Sequence, residues 1–277
     1  MTRPADTVTA AAHPDRGPAG LSFAGTLRSE WIKLLSLGST WWVVGACVVV
    51  AASFGLLQAA TLDVTPEEAA AHMIAVAGHG AEIIVGGYSM TALAVAVLGA
   101  LAMTAEYSTG TIRATLGAVP TRLPVLAAKA VIVAVITTAT SVVGLAVTWL
   151  AVQPVLAPRN LLPELDDPVT WQLFGGSTFF LVASALLALG LGSALRSTAG
   201  TVTAAHVLLF VLPGILQFVA VGWVQDLLPY LPLSAAAAFL DPAPADVLAA
   251  WRGVAVVGIY AAAALVAGAV SLHRRDA

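Results

Sequence analysis

The stretch AVIVAVITTATSVVGLAVTWLAVQPVLAP, residues 130–158, contains no Asp, Glu, Lys or Arg. An α-helix rises about 1.5 Å per residue, so about 20 apolar residues cross a hydrocarbon core about 30 Å thick. This run is longer than that. Its apolar residues are continuous rather than alternating, which points to a helix and not to a barrel strand. Five more uncharged stretches have similar length: Leu34–Leu62, Ile83–Ala105, Pro168–Leu195, Ser197–Gln225 and Gly253–Leu272. Trimmed at Trp, Gly and Pro, the six give spans near 41–61, 83–104, 127–152, 172–194, 201–223 and 252–272. A seventh stretch, Leu227–Leu240, is too short to cross and holds Pro229 and Pro232. It reads as a re-entrant or interfacial segment.

The composition agrees. Of 277 residues, 59% are hydrophobic and 10% charged, and the mean hydropathy is +0.93. Soluble proteins carry about 25% charged residues. This chain cannot cover a water-facing surface, which excludes a soluble enzyme, a disordered chain and a nucleic-acid-binding domain. The expected fold class is an all-α integral membrane protein with six transmembrane helices. The net charge of −3 gives no sign of a polyanionic partner, so no nucleic acid is expected. Cys47 is the single cysteine and cannot form an intrachain disulfide.

Six crossings put both termini on one side. That side carries Arg28, Lys33, Arg113, Arg122, Lys129, Arg196, Arg274 and Arg275 near the spans; the other carries Arg159 and Arg252. Basic residues accumulate on the cytoplasmic side, so both termini are expected there. Residues 1–20, rich in Pro, Ala and Gly, read as a disordered tail. Because about 40 residues precede the first span, it is not expected to be a cleaved signal peptide. Residues 21–277 read as one membrane domain.

Two segments on the cytoplasmic side carry candidate function. In Leu21–Leu37, residues Phe23, Leu27, Trp31, Leu34 and Leu35 share one helical face, with Arg28, Ser29 and Lys33 mostly elsewhere. This is an N-terminal amphipathic interface helix, either an elbow that a cytosolic partner pushes or a passive anchor for the first span. The second segment runs from Glu106 to Pro124, broken at Gly117 and Pro120. Glu106–Leu116 reads as a short polar helix for docking a soluble subunit, or as an ordinary loop with positive-inside charges. Glu106 is costly to bury alone and needs a partner within the chain or on that subunit.

The remaining chemistry is sparse. No G-x-x-x-x-G-K-[ST] phosphate loop and no H-E-x-x-H occur. His72 and His79 lack further metal ligands nearby. Gly87-Tyr88-Ser89 and Gly175-Gly176-Ser177 read as small residues for helix packing rather than hydrolase motifs. No Asp, Glu, Lys or Arg lies near the centre of a span, which argues against proton or sodium coupling. His206, about six residues into the fifth span, is the lone ionisable candidate there.

Three stretches together carry a family likeness. Leu27-Arg-Ser-Glu-Trp-Ile-Lys33 runs into Ser39-Thr-Trp-Trp42. Glu106-Tyr-Ser-Thr-Gly110-Thr-Ile-Arg113 is followed by Pro120-Thr-Arg122 and Ala128-Lys129. Leu195-Arg-Ser-Thr-Ala-Gly200 is followed by Phe210-Val-Leu-Pro213 and Tyr230-Leu-Pro232. Over roughly residues 25–275 the chain resembles the permease subunits of ABC-2-type ABC transporters of high-GC Gram-positive bacteria. The second stretch is the most specific. The resemblance implies an exporter subunit in the bacterial plasma membrane that pairs with a second permease copy or a paralogue. It implies that ATP is bound and hydrolysed by a separate ABC ATP-binding subunit, with no cofactor and no catalytic residue on this chain. It makes 106–118 the coupling helix, with Glu106, Gly110, Thr111 and Arg113 at the ATPase contact. It makes 21–36 the elbow, with Arg28, Glu30, Trp31 and Lys33. Segment 227–247 becomes the extracellular re-entrant helices. A non-transporting scaffold, sensor or immunity protein with six helices is the alternative.

Overall fold

The computed structural model describes residues 22–61, 79–108, 110, 123–241 and 248–274. Among these the secondary structure is helical throughout: α1 Phe23–Ser36, α2 Gly38–Thr61, α3 His79–Val85, α4 Tyr88–Ser108, α5 Leu123–Leu156, α6 Pro168–Leu195, α7 Thr198–Leu216, α8 Gly222–Leu227, α9 Pro232–Leu240 and α10 Ala250–Arg274. Six helices are long and apolar enough to cross a membrane; α3 and α4 together make one of them, Gly80–Tyr107.

Successive crossings run in opposite directions. The start of α2, the end of α4, the start of α5 and the turn between α6 and α7 gather at one end, here the near end. There Lys129 reaches Glu30 and Glu106, and Thr198 reaches Thr104. At the far end, Arg159 donates to the carbonyl of Ala59, and Gln172 to that of Phe239. Helix α6 is central, packed against α4, α5, α7 and α10. Its close approach to α10 needs Gly190, because a Cβ there would run into the backbone of Ala264. Tight contacts at small residues are how helices associate where lipid supplies no hydrophobic drive.

The crossings are longer than the apolar spans in most cases. Helix α5 begins at Leu123 and runs through Lys129, and α6 begins at Pro168, capped by Asp167, whose carboxylate accepts from the Val169 amide at 2.8 Å. The fifth crossing differs the other way. It starts at Thr198, ends at Leu216 and not near 223, and contains a π-helical turn at Val207–Val211. The Gln225 side chain folds back to donate to the carbonyls of Leu216 (3.4 Å) and Val219 (2.7 Å), closing the exposed end of the helix. Uncharged sequence continues past this point, so charge alone does not mark the stop.

The short seventh stretch, 227–240, forms a 3-10 turn at Leu228–Tyr230 and α9, while α8, apart from its last two residues, falls inside the fifth uncharged stretch. Helix α9 buries Ala235, Ala236 and Phe239 against α6 and α10. Residues 242–247 and the tail 1–20 lie outside the described residues.

Candidate functional site

Helix α1 starts on Ser22, whose hydroxyl accepts from the Gly25 amide at 3.1 Å, and stops at Leu37 in an extended conformation. Its last carbonyls are taken up from α2. Thr40 Oγ1 donates to Leu34 O at 2.7 Å and Trp41 Nε1 to Leu35 O at 3.0 Å. The Ser-Thr-Trp-Trp sequence at 39–42 thus makes the corner between α1 and α2, satisfying helix-end acceptors that would otherwise lack partners.

The corner sets which face of α1 meets the bundle. Leu34 and Glu30 are buried, at 5% and 3% exposure, whereas Phe23 and Trp31 are 48% and 39% exposed. The inward face is therefore Leu27, Glu30 and Leu34, turned away from part of the apolar stripe read from the sequence. Arg28 points outward. The reason for the rotation is a charge: Glu30 meets Lys129, one to two turns into α5.

Lys129 is the centre of a four-residue ion cluster. Its ammonium donates to Glu30 Oε2 at 2.6 Å, to Glu106 Oε1 at 2.7 Å and to the carbonyl of Ala102 at 3.1 Å. Those three acceptors use all three of its protons. Lys33 closes the ring, at 2.6 Å from Glu30 Oε1 and 3.4 Å from Glu106 Oε1. The side chains of Lys129 and Glu30 are 2% and 3% exposed, Glu106 12% and Lys33 42%. Two acids and two bases leave the cluster neutral, which is the condition for burying charge beside Leu34, Ala102 and Leu126. Lys33 lies outside the spans. Partial burial opposes its charge, but its bond to Glu30 and the charge of Glu106 outweigh that and raise its pKa above 10.5.

The last turn of α4 is also held from the opposite side. Arg196, the left-handed cap of α6, places its guanidinium carbon 5.3 Å from the centre of the Tyr107 ring. Thr198 Oγ1 donates to Thr104 Oγ1 at 2.8 Å. Glu106 therefore belongs to α4 and does not open a separate polar helix. Its partners lie within the chain. The helix breaks just after it: Gly110 has φ +72°, a left-handed bend that favours glycine. Thr111 and Arg113, with the rest of 111–122, lie outside the described residues. Of the residues expected at the site, the structure brings together Glu30, Lys33 and Glu106 and leaves Arg28 and Trp31 on the outer face. Lys129 was absent from the expected set, although its position in the uncharged-to-charged boundary before residue 130 was the available signal.

Elsewhere the bundle offers little reactive chemistry. His206 Nδ1 bonds to Val202 O of its own helix at 2.7 Å. Ser177 bonds to the carbonyl of Phe174. Among the described residues no three His, Cys, Asp or Glu side chains gather as metal ligands. Between α2, α4, α5 and α6 lies a cavity of about 20 Å³, bordered by Cys47, Thr91, Ser141 and Ser177. That is room for one water molecule.

A bundle of six apolar helices with its buried charge confined to one end defines a multi-pass helical membrane protein. Beyond that class, the chain matches no family model and no curated protein sequence.

Proposed function

We infer that the chain is the membrane permease subunit of an ABC-2-type exporter, powered by a separate ATP-binding subunit. The near end of the bundle is cytoplasmic in this reading, because the basic residues gather there. The membrane is the bacterial plasma membrane. Six helices make a thin bundle with little room for an enclosed pathway, which supports a pair of permeases with the path between them. C2 pairing is the commonest arrangement.

The observation that carries the reading is the position of the ion cluster. It ties the elbow-like α1 to α5 and to the last turn of α4 at Glu106, where segment 106–118, which resembles the coupling helix, begins. Losing one partner of such a buried set costs about 3–5 kcal/mol. The three elements therefore resist sliding past one another and move as a unit when a partner presses on the near end. Glu106 and Glu30 are positioning residues in this scheme. Thr111 and Arg113 are the contact residues.

The test is co-purification and export with a soluble ABC ATPase encoded beside the gene. Arg113→Ala should lose the ATPase or uncouple its hydrolysis from export, while Arg274→Ala behaves as wild type. If no ATPase associates with the wild-type chain under any nucleotide condition, the non-transporting scaffold reading stands instead.

A further inference from the structure

At the far end, between α5 and α6, a groove of about 420 Å³ opens on the outside of the bundle. Val142, Leu145 and Trp149 form one wall and Trp171, Phe174 and Thr178 the other, with Leu165 at the mouth. The lining carries no charge. Its three rings are set at steep angles around Phe174: Trp149 at 63° with centroids 6.3 Å apart, and Trp171 at 79° and 6.2 Å. The Trp171 indole donates to Leu165 O at 2.8 Å, which fixes ring and mouth together.

Leu165 sits between Glu164 and Asp166, both exposed. From Ala157 to Pro168 the charged residues are Arg159, Glu164, Asp166 and Asp167, one base against three acids. Arg159 is turned to the carbonyl of Ala59. Exposed acids on both sides of the mouth residue, next to an uncharged aromatic groove, favour a cation that also has an apolar body. Aromatic faces attract ammonium groups by their quadrupole, and alkylated ammonium loses less hydration on entering than a primary amine. The same rim repels phosphate and carboxylate heads.

We propose that this groove binds a monocationic amphiphile, an aliphatic body carrying a tertiary or quaternary ammonium. The body lies along Val142, Leu145 and Phe174, and the head sits at Trp171 below Glu164 and Asp166. Gly175 also lines the groove, and a Cβ there would meet nothing within 4 Å. A Cβ at 175 is therefore free of contact, and a longer side chain built on it extends into the groove. Binding is a property of this chain alone, so it stands or falls separately from the ATPase association.

The experiment is equilibrium binding of radiolabelled dodecyltrimethylammonium to the full chain in nanodiscs of an uncharged galactolipid, with empty nanodiscs as blank. Saturable binding above the blank is expected, with dodecanol weaker by about tenfold or more as competitor. Dodecyl sulfate and dihexanoyl-phosphatidylcholine should not displace the probe. Gly175→Leu and Trp171→Ala should abolish the saturable part, Trp171→Phe should keep most of it, and Glu164→Gln with Asp166→Asn should weaken it several-fold. Equal displacement by dodecyl sulfate or the phosphatidylcholine overturns the charge selection. Unchanged binding in a folded Gly175→Leu chain, or no saturable binding at all, overturns the site.

Discussion

Lys129 Nζ and Glu30 Oε2 stand 2.6 Å apart across 99 positions of sequence, with both side chains almost fully buried. The pair joins the helix before the first crossing to the helix of the third. Lys129→Met leaves Glu30 and Glu106 without their buried shared cation, with only the half-exposed Lys33 between them. It should lower stability by about 3–5 kcal/mol. Combining it with Glu30→Leu should recover part of the loss, because an apolar pair of similar volume carries no desolvation cost. Unfolding of the detergent-solubilised protein, run as a double-mutant cycle, measures both. A Lys129→Met loss below about 1 kcal/mol would remove the cluster from the stability account, and a double loss equal to the sum of the two single losses would show no coupling between Lys129 and Glu30.

Lys33 is the exposed member, so Lys33→Ala should cost only about 0–1 kcal/mol. Its pKa is raised, so its ion-pair contribution is fully present below the ordinary lysine value of 10.5 and fades as pH rises through the folded value. Between pH 6 and 9, about the range of ordinary assays, the difference between wild type and Lys33→Ala should stay flat. A slope within that window would point to another titrating group.

Helix packing makes a steric prediction. Gly190→Ala drives a Cβ into the Ala264 backbone and should destabilise by about 1–3 kcal/mol. Gly45→Ala, where a Cβ meets nothing within 4 Å, should be neutral or slightly stabilising. Thermal unfolding of the two variants side by side checks the contact between α6 and α10.

Orientation is tested by thiol labelling. In a Cys47→Ser background, Asp166→Cys should react with an impermeant maleimide added outside whole cells, and Ser108→Cys only after the membrane is opened. Labelling of the Asp166→Cys protein only after opening would invert the arrangement.

The six crossings were legible from one-dimensional information. A continuous uncharged run must find an apolar surrounding, whatever its neighbours, so 130–158 announces a crossing without any knowledge of contacts. The stretch 227–240, too brief to cross and broken by Pro229 and Pro232, was legible in the same way, whereas most of α8 lay inside the run read as the fifth crossing. Helix ends were less legible. The corner at 37–40 and the early stop at Leu216 depend on side chains that return to cap carbonyls, Thr40, Trp41 and Gln225, and no hydropathy pattern encodes that return.

The sequence by itself determined six stretches long and apolar enough to cross a membrane and that Glu106 needs a partner, since both follow from the cost of placing polar groups in hydrocarbon. Tertiary structure decided which partner. Coulomb energy depends on distance, and only the packing of α1 and α4 against α5 brings each acid, Glu30 and Glu106, within 3.4 Å of both Lys33 and Lys129. It also decided which face of α1 meets the bundle: Glu30, outside the apolar stripe, turns inward onto Lys129, while Trp31 stays on the outer face.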